Sequence, residues 1–172
     1  MAGRLPELVD CARLADEAVT LQRVYALKDF PRLQDVLAES SGDARVRFAF
    51  GKTGAGGFGA TVDVAAAPFL RCQRCLQAFE FPLAARSEIE FAESEDAAVG
   101  SAREPYPAPD GRASLRDLAE EELLLALPVA PACSAPETCG RAPRFEADAS
   151  AAPSSQETVR PFGILQELLK KP

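Results

Sequence analysis

The sequence predicts an α+β fold: an antiparallel sheet covered by one main helix, with short peripheral helices. Three stretches, 44–50, 58–64 and 79–91, alternate apolar and polar residues. A period of two makes each a strand with one buried face. A further stretch, Ser114 to Leu127, has helical spacing and stops at Pro128, a residue that disfavours helix before it. A sheet with one apolar face needs a cover, and this helix is the best candidate.

From Glu7 to Tyr25 only a weak period of two is visible, in Leu8, Asp10, Ala12 and Leu14. That predicts a strand pair or an irregular extended segment, with Cys11 as a small buried hydrophobe. Asp29-Phe30-Pro31-Arg32-Leu33 opens a short helix, with Asp29 as cap and Pro31 early in the first turn. Leu33, Val36 and Leu37 share its face, and Ser40-Ser41-Gly42 closes it.

Val46, Phe48 and Phe50 point inward from the first clear strand, Arg45 and Arg47 outward. Phe58, Ala60, Val62 and Val64 line the inner face of the second. The linking segment, Gly51 to Gly57, contains Gly-Lys-Thr. A phosphate loop needs a glycine five residues before Gly51, where Val46 stands, and it needs a helix to follow. A glycine-rich hairpin loop is predicted instead.

After Pro68 comes Arg71-Cys72-Gln73-Arg74-Cys75-Leu76, a C-x-x-C knuckle. Phe79 to Phe91 then reads as one long strand bent at Pro82. Glu93 to Arg112 is an acidic, proline-bearing loop. Ser114-Leu115-Arg116-Asp117 resembles a capping box. The helix that follows exposes Glu120, Glu121 and Glu122, at least two of them to water, and its all-apolar last turn should be buried. Val129 to Gly140 is a loop with Cys133 and Cys139. The domain plan is a single α+β domain over 1–140, a mobile linker over 141–158 and a C-terminal helix over 159–172. Phe162, Leu165, Leu168 and Leu169 form that helix's apolar stripe, which docks on the parent core or on a partner.

The chain has no histidine and a net charge of −7. Without histidine, most hydrolase and transferase centres lose their base or metal ligand. Residues 87–122 hold 11 acids and 3 bases. Such a chain binds phosphate backbones poorly and fits a basic partner. No window reaches the roughly 18 apolar residues of a membrane span. The N-terminus has no signal-like apolar run, so the cytoplasm is expected. Five cysteines in a reducing compartment argue against a disulfide framework.

Cys72, Cys75, Cys133 and Cys139 are candidate ligands for zinc, which takes four thiolates in a tetrahedron. The first pair has the usual spacing, whereas five residues separate the second. Two alternatives stay open: four reduced thiols that happen to lie near turns, and a redox dithiol at Cys72 and Cys75. A redox pair normally begins a helix beside a βαβ unit, and here a strand follows.

R-C-Q-R-C-L-Q-A-F before a long strand, S-L-R-D-L-A-E-E-E-L-L-L-A-L-P-V-A-P-A-C, and the terminal R-P-F-G-I-L-Q-E-L-L-K-K resemble the YceD family of large ribosomal RNA subunit accumulation proteins. A-L-K-D-F-P-R-L near residue 30 fits as well. The resemblance implies a non-enzymatic factor in large-subunit biogenesis that supports 23S rRNA accumulation. Its expected partners are a basic large-subunit ribosomal protein, 23S rRNA or a pre-50S particle. The alternatives are a zinc-stabilised protein-binding module without rRNA contact and a thiol oxidoreductase. Arg45, Arg47, Lys52, Arg71 and Arg74 are the candidate RNA contacts, because residues 43–86 carry six bases and three acids. Glu88, Glu90, Glu120, Glu121 and Glu122 are the candidate protein-docking acids.

Overall fold

The computed structural model describes residues 8–54, 56–93, 103–134 and 139. The chain divides into two compact units, Met1–Ala142 and Pro143–Pro172. All described residues lie in the first. The expected 141–158 linker and C-terminal helix fall outside them.

The strands are β1 (Leu8–Asp10), β2 (Thr20–Ala26), β3 (Asp43–Lys52), β4 (Phe58–Ala66), β5 (Phe69–Arg71), β6 (Ala78–Glu80), β7 (Leu83–Ala92), β8 (Glu104–Pro107) and β9 (Arg112–Ser114). The helices are α1 (Cys11–Asp16), α2 (Pro31–Gln34) and α3 (Leu115–Ala126). The main sheet runs β2-β3-β4-β7-β8, with β1-β9 and β5-β6 as separate two-stranded sheets.

This corrects the predicted class. The described chain is mostly strand, arranged in three sheets with three small helices. It is not one antiparallel sheet under one main helix. β8 joins β7 in parallel. Its Pro105 and Pro107 have no N–H to give, which suits an edge strand. The inner face is shared: α1 packs on β3 and β4, α3 on β4 and β7, and α2 on α3. The expected single strand 79–91 is two, because the chain leaves one sheet after Glu80 and enters another at Leu83, across Pro82. The parity was right even so: Leu83 and Ile89 are buried, Arg86 and Glu88 exposed.

The period of two also holds in β3 and β4, where Val46, Phe48, Phe50, Ala60, Val62 and Val64 enter the core. Before β2 it misled. Residues 8–16 form β1 and then α1, capped by Asp10, whose Oδ1 accepts from Arg13 N–H at 3.0 Å. A six-residue helix is under two turns and leaves little periodic trace. Cys11 is buried, and burial pushes its thiol up to about 12.

Asp29 does not cap α2. It ends a 3-10 turn, and Phe30 stands at the cap position with no capping side chain of its own. Leu33 is buried while Val36 is 49% exposed. The start of α3 is as expected, with Ser114 Oγ accepting from Asp117 N–H at 3.3 Å. Its last turn is not buried all round: Leu123 is inside, Leu125 is 62% exposed. The helix's acids reverse the expectation more sharply, since Glu120 and Glu122 are each only 4% exposed.

The glycine-rich segment is the β3–β4 hairpin loop. Thr53 N–H donates to Gly57 O at 2.9 Å, and Thr53 Oγ1 donates to Glu90 Oε1 at 3.1 Å. A Cβ on Gly57 would lie 2.5 Å from Glu90 Oε1. The glycine thus admits a carboxylate, the wrong charge for a phosphate cradle. Among the described residues, no helix is long and apolar enough to cross a membrane.

Candidate metal centre and charged surfaces

Cys72 and Cys75 occupy the turn of the β5–β6 hairpin. Cys72 N–H donates to Gln77 O, and Leu76 N–H donates to Cys72 O, both at 2.9 Å. Leu76 turns the chain with φ 63°. The second pair arrives on the segment after α3. Gln73 N–H donates to Pro131 O, Arg74 Nη2 donates to Cys133 O, each at 2.9 Å, and Cys133 N–H points at Cys72 Sγ from 3.4 Å.

These contacts bring all four predicted ligands together. Cys72 Sγ is 3.6 Å from Cys139 Sγ, and Cys75 Sγ is 3.8 Å from Cys133 Sγ. The four sulfurs lie within 4.8 Å of one another. Zn–S bonds of about 2.3 Å imply tetrahedral edges of about 3.8 Å, so both the donor set and its spacing fit zinc. Four protein thiolates close the coordination sphere and leave no position for substrate, the mark of a structural site.

The acidities of the thiols differ. The backbone N–H groups of Cys133 and then Cys75 hold Cys72 down at about 5, against burial. Contact with Cys133, then burial and Cys72, push Cys139 up to about 12. At Cys75 the Gln77 amide pulls downward, but burial and the sulfurs of Cys72 and Cys133 outweigh it and raise the thiol. One thiolate forms easily and its neighbours resist a second negative charge. A dication would lift that resistance by facing every sulfur with positive charge.

Arg71 and Arg74 belong to this centre. Arg71 Nη1 donates to Leu76 O at 3.3 Å, and Arg74 ties the two loops. Four thiolates would outnumber a dication's charge by two, and Arg74, which already favours the Cys139 thiolate, would offset part of the excess. The five expected RNA contacts therefore occupy three places. Arg45 and Arg47 lie on the outer face of the main sheet, which no described element covers. Arg47 pairs with Asp63 at 3.1 Å, and Arg86 reaches the same carboxylate at 3.6 Å. Lys52 is at the far end of β3, paired with Asp16 at 2.9 Å. A shallow groove of about 300 Å³ runs past Gln22, Val24, Arg45, Arg47, Asp63 and Ala65. Arg86, absent from the expected set, was legible as an outward residue of β7.

The expected docking acids also separate. Glu88 pairs with Arg103 at 3.3 Å, and Glu90 is held by Thr53. Glu120 Oε1 accepts from the N–H groups of Arg32 at 2.6 Å and Leu33 at 3.0 Å. It supplies the cap that α2 lacks, from 88 residues away, so no local signal could reveal it. Glu122 accepts from Ser87 Oγ on β7. Glu104 and Asp117 are linked through Glu121, and Arg32 opposes the acids at Tyr106. Burial, then Glu121 and Asp117, push Tyr106 up to about 12, and Glu104 and Glu121 both act on Glu122.

Burial chiefly, with those two acids, raises Glu122 above its ordinary 4.5, against the Ser87 hydroxyl. The folded protein then binds this proton more tightly than the unfolded chain. The contribution of Glu122 to stability is greatest below pH 4.5 and declines as pH rises through the folded value. Glu122→Gln is expected to flatten that decline. Urea midpoints across pH 4 to 8 provide the check, and a parallel decline in the variant would contradict the assignment.

No curated protein and no solved structure matches the chain. A family described as "Large ribosomal RNA subunit accumulation protein YceD" matches residues 60–169. That span is more than half of the chain and includes the knuckle, α3 and the second cysteine pair. The chain belongs to the YceD family of large ribosomal RNA subunit accumulation proteins.

Proposed function

We propose that this protein is a non-catalytic, cytoplasmic factor in large-subunit assembly that binds a basic ribosomal protein, with its cysteines closed on structural zinc. The observation that carries the docking surface is Glu121, which acts on both Tyr106 and Glu122, with Asp117 beside it at the first, Glu104 at the second, and Arg32 opposing at Tyr106. Such a field speeds encounter with a cationic protein and repels competing phosphate. It replaces the strand acids Glu88 and Glu90, which already have partners, and the buried Glu120 and Glu122. Glu121 alone remains from the expected set.

Neutralising the three acids as Glu104→Gln, Asp117→Asn and Glu121→Gln is expected to weaken binding of a small basic large-subunit ribosomal protein about tenfold at low salt. The loss should shrink at higher salt. Calorimetric titration at two salt concentrations measures it. Unchanged affinity and salt dependence, with the fold intact, would exclude this surface.

Ribosomal RNA is the second candidate ligand, supported by Arg47 and Arg86 around one Asp63, with Arg45 beside them, on the outer sheet face. Phe48, Phe50 and Phe91 all point to the core, and the outer residues lining the groove include no aromatic. Contact there would be with phosphates and not by base stacking. Pull-downs with and without nuclease separate the two ligands, since a captured protein survives nuclease and an RNA-bridged one does not. A thiol oxidoreductase is disfavoured because Cys72 and Cys75 cap a β-hairpin and share their sulfurs with a second pair.

A further inference from the structure

We propose that the cysteine centre is a site of reversible oxidation, at which peroxide joins Cys75 to Cys133 across the two loops. The inference rests on the four-thiol centre and adds regulation to it. Cys75 and Cys133 are half-buried, whereas Cys72 and Cys139 are buried. A small oxidant therefore meets the first pair at the rim of the cluster. Their sulfurs are 3.8 Å apart, close enough to join after a short approach.

Three contacts span the two loops besides the sulfur pairs: Gln73 N–H to Pro131 O, Arg74 to Cys133 O and Cys133 N–H to Cys72 Sγ. Cys11 is the internal control. It is buried at 1% exposure, lies outside the cluster, and its thiol faces the carbonyl of Val9.

The chemistry is a two-electron oxidation by hydrogen peroxide. One thiolate of the pair attacks the peroxide, its S–O bond forms as the O–O bond breaks, and hydroxide leaves. The other thiolate attacks that sulfur, the S–S bond forms, and a second hydroxide leaves. The two sulfurs lose two electrons and the peroxide gains them. Cys72 and Cys139, themselves 3.6 Å apart, then remain as two thiolates where four are needed to close a tetrahedron. A second equivalent of peroxide joins them in the same way. The junction changes from metal-held to covalent while the loops remain together. A thiol reductant reverses both steps.

The test treats the full chain, zinc-loaded and metal-free, with increasing hydrogen peroxide. Free thiols are then blocked, and disulfides are mapped by mass spectrometry. Released zinc is measured with a chromogenic chelator. The expected result is a Cys75–Cys133 bridge at the first equivalent in the zinc-loaded form, and a slower one in the metal-free form. One zinc per loaded chain should be released in step, and Cys11 should be blocked only after denaturation. Cys11→Ser should change nothing, whereas Cys133→Ser should abolish the bridge. A dominant Cys72–Cys75 bridge, sulfinic acid without a bridge, or zinc retained after bridging would overturn the proposal. A chain that forms the bridge but takes up no zinc would refute the metal centre and leave the oxidation site standing.

Discussion

Glu120→Ala is expected to destabilise the protein by about 3 kcal/mol, because it strips two N–H groups at the start of α2 of their acceptor. The Leu33 amide is buried, the Arg32 amide is partly so, and both point at one carboxylate oxygen. A hydrogen bond to a charged acceptor contributes about 1.5–3 kcal/mol, and an unpaired buried donor costs about 1–3 kcal/mol. α2 has only four residues and too few internal bonds to hold itself. The loss should also loosen Phe30 and Leu33, both fully buried in the main core. Glu120→Gln keeps an oxygen acceptor and should cost roughly a third as much. Thermal melts should show a fall of roughly 10 °C for alanine. Equal losses for both variants would mean that charge alone matters. No loss for alanine would mean that water replaces the carboxylate, and the cap would then contribute nothing.

Removing zinc, or replacing Cys133 with Ser, is expected to release the 128–134 segment from the knuckle while the five-stranded sheet stays folded. The main core contains none of the four cysteines. The four-cysteine junction joins β5–β6 to the chain after α3, and neither belongs to the main sheet. Loss of zinc should therefore act locally, unlike in a zinc finger, where the metal supplies the whole fold. Limited proteolysis should cut near Ala130–Ala132 faster than in the zinc-loaded protein, while circular dichroism of the sheet is retained. Cys133→Ser should weaken zinc binding by more than about 100-fold, since loss of even an outer-shell partner costs about 10–100-fold. Global unfolding on chelation would show that the junction carries the fold. Unchanged protease sensitivity would show that the inter-loop hydrogen bonds suffice without metal.

What the sequence determined by itself was local. Alternation in β3, β4 and β7 follows from strand geometry, because side chains on a pleat must point to opposite faces. The core positions of Phe48, Val62 and Ile89 were therefore readable from neighbours two residues away. The capped start of α3 and the knuckle at Cys72 and Cys75 are likewise written in a few adjacent residues. The convergence of Cys133 and Cys139 on that knuckle was inferable from zinc chemistry, which requires four ligands, but the distance between them was not.

Tertiary structure decided everything that depends on what lies opposite a residue. Glu120 and Glu122 look like solvated acids on an amphipathic helix. One faces the bare N–H groups of α2 and the other faces Ser87, and those partners stand 88 and 35 residues away. Arg71 and Arg74 read as a basic pair beside the knuckle, yet only the fold shows Arg74 reaching Cys133 O on the second cysteine loop. Pro82 reads as a bend, yet only sheet pairing shows that the chain changes sheets there. Period and capping act within a turn or a strand, whereas the partner of a buried charge is fixed by the packing of the whole chain.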